Sequence, residues 1–345
     1  MKVSSSTSSS ERRAGWTVLL KAAVLLAPFV ALSLPTIAST LIVVVRAEQS
    51  LALRDGVFDG QLEGKLDALL ADGIVVIVAG DSRAEEQVIP AEVEARTGLR
   101  AVNVATAAGD LVTLSNALKR RGIPASARAL IVSTSLFQVN DGAIDPPYIS
   151  TACFLNMTAW ERAKIYLDRL STPSSPLDFR FVEEPPVAMT GARLREHGFI
   201  ANDKTLSLPL PKVLLNAHPW YRSLSLHGAR WRVFREALGR LAATGLRIYL
   251  VDPPVSPAWR AYTAGTFVDA AEREFAGMLD KAALTWPTVR ALDFYTIPEP
   301  TLGNEQFADI QHLNGTGAQR FTQILLDRIG VDFPLTNAAA TAAQP

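Results

Sequence analysis

The chain has 345 residues, 48% hydrophobic and 20% charged, so it can bury a large core, and disorder along most of its length is excluded. Lys plus Arg number 34 and Asp plus Glu number 34, so the basic excess of a general nucleic-acid binder is absent. One cysteine, Cys153, excludes an intramolecular disulfide and a cysteine-rich zinc site, and the four histidines lack the HxH or HxxxH spacing of a multi-histidine metal centre.

Residues 1–15 are Ser-rich and read as a disordered tail. Residues 16–46 read as a transmembrane anchor. No charge interrupts the stretch from Ala22 to Val45, which exceeds the roughly 20 apolar residues that a spanning helix needs. The strongest apolar run, Leu41 to Val45, follows the only small-residue cleavage site, Thr36-Ile-Ala38. The segment therefore reads as an uncleaved anchor, in preference to a cleaved signal or a buried core helix. Pro28 and Pro35 are compatible with a membrane helix. Lys2, Arg12, Arg13 and Lys21 lie on its amino side, which places the N-terminus in the cytoplasm. The domain over 47–335 is then expected outside the inner membrane, in the periplasm of a Gram-negative cell. Residues 336–345 read as a frayed tail.

Within that domain, residues 74–79 (IVVIVA) form an apolar, β-branched run ending in Gly80, as expected of a strand buried on both faces. Residues 84–97 read as a helix, in which Pro90 marks either the true start or a kink. Strands are predicted over 100–105, 128–134, 246–251 and 289–294. Helices are predicted over 110–121, with Asp110 as N-cap, and over 229–243, 267–284 and 316–329. Five strands alternating with helices predict a three-layer α/β fold with a parallel sheet. The segment 145–228 breaks this rhythm, with one helix at 158–170 followed by Pro-rich and aromatic stretches. It reads as an insertion over one end of the sheet, either a lid or a substrate-binding subdomain.

Two motifs carry chemistry. Gly80-Asp81-Ser82-Arg83 lies at the carboxyl end of the first strand, where ligands bind in open α/β sheets. The following helix aims free N–H groups back at Ser82, which suits a nucleophile and a developing oxyanion. Asp309-Ile-Gln-His312-Leu-Asn314 precedes the last helix. An Asp three residues before a His in a turn can hold the imidazole tautomer and support its charge, leaving the His as general base for a serine. Taken singly, the first motif is also an ordinary turn and the second an ordinary helix entry capped by Asn314 or Thr316.

Together, in this order and on these elements, the motifs resemble the SGNH/GDSL hydrolase superfamily over residues 74–330, with the insertion outside the usual core. The resemblance implies a flavodoxin-like sheet, acyl-ester chemistry without a cofactor, and Ser82, His312 and Asp309 as nucleophile, base and orienting acid. It also calls for oxyanion donors. Gly109 fits the glycine position. Where the family has Gly-x-Asn-Asp this chain has Ser133-Thr-Ser135-Leu-Phe-Gln-Val-Asn140-Asp141, so Ser135 stands near the Asn position and Asn140 comes late. Arg83 either binds an anionic substrate or pairs with Glu85 or Glu86. Trp220, Tyr221, Trp231 and Trp259 either stack on sugars or fill the core.

The anchor and the Val251-Asp-Pro-Pro strand end are similar to the membrane-anchored branch of cell-surface polysaccharide systems, which includes alginate O-acetyltransferases and the lipoteichoic-acid D-alanylation protein. That branch implies an O-acyl esterase or O-acetyltransferase acting on an acylated glycan, with a membrane protein as acyl donor in the transferase case. The alternative is a catalytically weak scaffold that binds polysaccharide or a partner in an export complex.

Overall fold

The computed structural model of the protein describes residues 61–142, 150–162, 164, 197–210, 221 and 224–330. A helix over 61–69 (α1) leads into β1 (Val76–Ala79), α2 (Ser82–Gln87), α3 (Pro90–Thr97), β2 (Ala101–Asn103), α4 (Leu111–Arg121) and β3 (Ala129–Ser133). Two short helices follow, α5 (Leu136–Val139) and α6 (Thr151–Leu155). The chain then continues through α7 (Ala229–Ala242), β4 (Arg247–Asp252), α8 (Pro257–Thr263), α9 (Phe267–Ala283), β5 (Val289–Asp293) and α10 (Gly315–Ile329).

The five strands pair in parallel in the order β2-β1-β3-β4-β5, a flavodoxin-like arrangement. Successive strand residues alternate between two cores. Ile77, Leu130, Ile248 and Leu250 pack with side chains of α4, α7 and α9, whereas Val76, Ile131, Tyr249 and Val251 pack with side chains of α3 and α10. The sheet is therefore the middle of three layers, and its central strands are apolar because neither face meets water.

The helix expected over 84–97 is two helices. Pro90 has no N–H to continue α2 and holds Ile89 extended, so α2 ends at Gln87 and α3 starts with Pro90 in its first turn. Asp110 caps α4 as expected, accepting from the Thr113 N–H at 2.8 Å.

The tail, the 16–46 anchor segment and residues 336–345 lie outside the described residues, as does most of the insertion, including the end of its 158–170 helix. Among the described residues no helix is long and apolar enough to cross a membrane. One described part of the insertion, 197–206, runs as a strap along the site. The Asn103 N–H donates to the His197 carbonyl, the Ile200 N–H to Glu85, the Gly315 N–H to Asn202 and the Leu206 N–H to Phe307. Gly198 is required there, because a Cβ would stand 1.9 Å from the Asn103 carbonyl oxygen.

Candidate active site

The first element is the turn after β1. Gly80 has φ +120°, and a Cβ on it would lie 2.5 Å from the Ser133 carbonyl oxygen, so only glycine lets β1 turn this close to β3. Asp81 caps α2 by accepting from the Arg83 N–H at 3.1 Å. Its carboxylate also accepts from the Ser133 hydroxyl at 2.8 Å, the Ser135 hydroxyl at 3.0 Å and the Arg83 guanidinium at 3.3 Å. Burial opposes the Asp81 charge, but Arg83 and the two serine hydroxyls outweigh it and hold the carboxyl below its ordinary value. Ser82 is thereby set as the first residue of α2, half-buried. No hydrogen bond from its N–H occurs among the described residues, as expected of a helix-first amide.

The second element is the loop before α10. Phe307 and Leu313 form an antiparallel bridge, and the Ala308 N–H donates to the His312 carbonyl at 2.8 Å, which closes a tight loop. Inside it, Asp309 Oδ1 accepts from the N–H groups of Gln311 and His312, both at 2.8 Å. Asp309 Oδ2 lies 2.8 Å from His312 Nδ1, and His312 Nε2 lies 2.8 Å from Ser82 Oγ. With Nδ1–H donating to the carboxylate, Nε2 is left to accept the serine proton. The Gln87 side chain donates to the Gln311 carbonyl at 2.6 Å and ties α2 to this loop. Asn314 caps α10 by accepting from the Gly317 N–H.

Partial desolvation of the half-exposed Asp309 opposes its charge, but the His312 ring and the two backbone amides outweigh it, and the carboxyl sits below its ordinary value. Burial likewise opposes the charged imidazole, but Asp309, then Glu86 and Asp81, raise His312 above its ordinary value. The arrangement makes Nε2 a stronger base than a free imidazole, aimed at a hydroxyl.

The structure brings together Ser82, His312 and Asp309 and gives four other candidates partners within the protein. The Gly109 N–H, expected as an oxyanion donor, donates to the Thr106 carbonyl at 2.9 Å inside its own turn. The Ser135 side chain is buried with its hydroxyl on Asp81, because the carboxylate beneath Ser82 needs donors. Asn140 is fully buried, and its Oδ1 accepts from the Gly142 and Ser225 amides, bracing the end of the insertion. Arg83 pairs with neither Glu85 nor Glu86 among the described residues. It is 4% exposed, donates to Asp81 and the Thr134 carbonyl, and lies 3.9 Å from Asp252. Of the aromatic residues, Trp220 lies outside the described residues, Tyr221 and Trp259 are buried with rings 5.8 Å apart, and Trp231 stacks on Phe234.

Asp252, at the end of β4, and Glu272, on α9, are buried carboxylates that the motifs did not reveal. Burial, with Glu272 nearby, holds Asp252 well above the usual carboxylate range, and burial pushes Glu272 up to about 8. Their signal in the sequence was slight, an Asp after an apolar strand and a Glu on the apolar face of a helix.

No protein-family model matches the chain, and no curated protein matches it. Among solved structures it is similar to a chain described as a "putative platelet activating factor from Streptococcus pneumonia", at 11% identity and a TM-score of 0.41, over 84% of this chain and 98% of that one.

Proposed function

We propose that the protein is a serine acyl-ester enzyme of the SGNH type. The observation that supports this reading is the hydrogen-bonded line from Ser82 Oγ through His312 to Asp309, with 2.8 Å at each step, at the carboxyl edge of a parallel sheet. In the reaction, Ser82 Oγ bonds to the acyl carbon as its proton passes to His312 Nε2, and Asp309 bears on the imidazolium that forms. The imidazolium returns the proton to the departing alkoxide, leaving an acyl-serine. Water or a sugar hydroxyl then gives its proton to Nε2 and bonds to the acyl carbon, and the imidazolium returns that proton to Ser82 Oγ as the acyl–oxygen bond to the serine breaks. The Ser82 N–H and the amino end of α2 favour the oxyanion.

The proposal extends to substrate and place: an O-acyl esterase or O-acetyltransferase of a cell-surface glycan, held at the inner membrane by 16–46 with its domain extracytoplasmic. The uncharged run from Ala22 to Val45 supports the anchor. An added sugar that accelerates loss of the acyl group beyond the rate in water identifies a transferase.

The test is p-nitrophenyl acetate hydrolysis by the full chain in detergent, beside Ser82→Ala and His312→Ala, with fluorophosphonate labelling. Turnover that both substitutions abolish, and labelling confined to Ser82, is the expected result. Inertness together with absence of labelling sinks the proposal. It would favour a second reading, a non-catalytic scaffold for a polysaccharide or partner protein. The observation on that side is that the Gly109 amide and the Ser135 hydroxyl are both committed inside the protein.

A further inference from the structure

Ser82 opens α2 and Glu86 follows four residues later, so the two side chains leave the same face of the helix. Glu86 is half-buried, and its Oε2 accepts from Asn202 Nδ2 at 2.8 Å, which fixes the carboxylate between the nucleophile helix and the 197–206 strap. Asp309 stands at the far ring nitrogen of His312 with its side chain 52% exposed. Among the described residues, the charges that raise His312 are Asp309, Glu86 and Asp81, all acidic.

Among the described residues, Asp81 alone of the three meets an arginine or lysine side chain. Arg83 meets it in a buried pair, and the guanidinium also donates to the Thr134 carbonyl and lies 3.9 Å from Asp252. The strap adds no net positive charge, because Asp203 and Lys204 are adjacent and of opposite sign. The Asp203 carboxylate comes within 3.9 Å of where a Cβ on Gly315, the first residue of α10, would stand.

We propose that the Ser82 site selects its substrate by charge, taking esters of neutral or cationic alcohols and rejecting anionic ones, with Glu86 and Asp309 as the selecting groups. This rests on the acyl-ester reading above. For a glycan it means neutral or amino-bearing sugars in place of a polyuronic acid. At roughly 7 Å in water a carboxylate changes the rate for a unit charge about threefold, so the cation-to-anion ratio changes about sevenfold per carboxylate.

The experiment uses the full chain in detergent and three aryl acetates with one acyl group: phenyl acetate, 4-acetoxybenzoate and (3-acetoxyphenyl)trimethylammonium. Each kcat/KM is divided by the hydroxide-catalysed rate of that ester. At low salt the cationic ester is expected to exceed the anionic one by at least about sevenfold, with the ratio shrinking as salt is raised. Glu86→Gln keeps an acceptor for Asn202 and is expected to lower the ratio about sevenfold. A merely structural role for Glu86 would scale all three esters alike, and that result overturns its part in selection. A wild-type ratio near one, with phenyl acetate turned over, overturns charge selection and leaves the esterase reading standing. Inertness toward all three esters overturns both.

Discussion

The Ser82 hydroxyl and the His312 imidazole meet at 2.8 Å across 230 positions of sequence. The parallel sheet makes this possible, since the turn after β1 and the loop before α10 open at the same edge, and α10 packs on α2 and α3.

If that contact carries the reaction, Ser82→Ala and His312→Ala each lower kcat by about 10⁴-fold or more, and the double substitution is no worse than either single one, because the two groups act as a unit. Steady-state hydrolysis, with circular dichroism to verify the fold, measures this. A double mutant much slower than both singles would show that they act independently.

Asp309→Asn tests the tautomer. Burial lowers the basicity of His312, Asp309 raises it, and the balance lies above the ordinary 6.5. The base must be neutral, so kcat/KM of the wild type rises with pH through a midpoint above 6.5. Without the carboxylate the midpoint moves down, and the plateau falls by about 10⁴-fold as the ring loses its orientation. A pH–rate profile of both proteins decides it, and an unmoved midpoint would remove Asp309 from its role.

The buried Glu272 makes stability pH-dependent. Its folded value, pushed up to about 8, exceeds the ordinary 4.5, so between these the folded state holds a proton that the unfolded state has released. Stability therefore falls as pH rises through that window and levels off above it. Urea titrations at pH 5.5 and 8 should show the loss, and Glu272→Gln should reduce it, leaving the share of Asp252. An equal slope in the mutant would place the proton elsewhere.

Arg83→Leu strands Asp81 without its cation in a site where both are buried. Removing one partner of a buried pair costs about 3–5 kcal/mol, and urea unfolding should show a loss of that order. A loss below about 1 kcal/mol would mean that the serine hydroxyls alone suffice for Asp81.

Gly80→Ala places a methyl 2.5 Å from the Ser133 carbonyl oxygen at a φ of +120°. A loss of about 1–3 kcal/mol, with activity falling more than stability alone explains, is expected as the turn shifts Ser82. Thermal unfolding and hydrolysis measured side by side check it.

The strands were legible because β1, β3 and β4 are apolar runs that face helices on both sides, and the two motifs were legible because each is local, a cap and a turn. What escaped the sequence depends on where side chains turn. Arg83 follows Ser82 directly and Ser135 follows β3, yet both point into Asp81, a preference set by the cost of burying that carboxylate. Gly109 closes its own turn on Thr106, which residue spacing does not disclose. The break at Val88–Ile89 was one of two readings of Pro90, and the fold takes the one in which proline starts a helix.

The strap over 197–206 is bonded at Ile200 to the nucleophile helix and at Asn202 to the first residue of α10. Nucleophile and base are thus buckled by the same stretch of the insertion. A molecule that displaced the strap would break a hydrogen bond to the nucleophile helix and one to the first residue of α10 together, and so bear on how Ser82 meets His312. Were its binding to change the affinity of the site for an occupant, thermodynamic reciprocity would require the occupant to change the affinity for that molecule by the same factor.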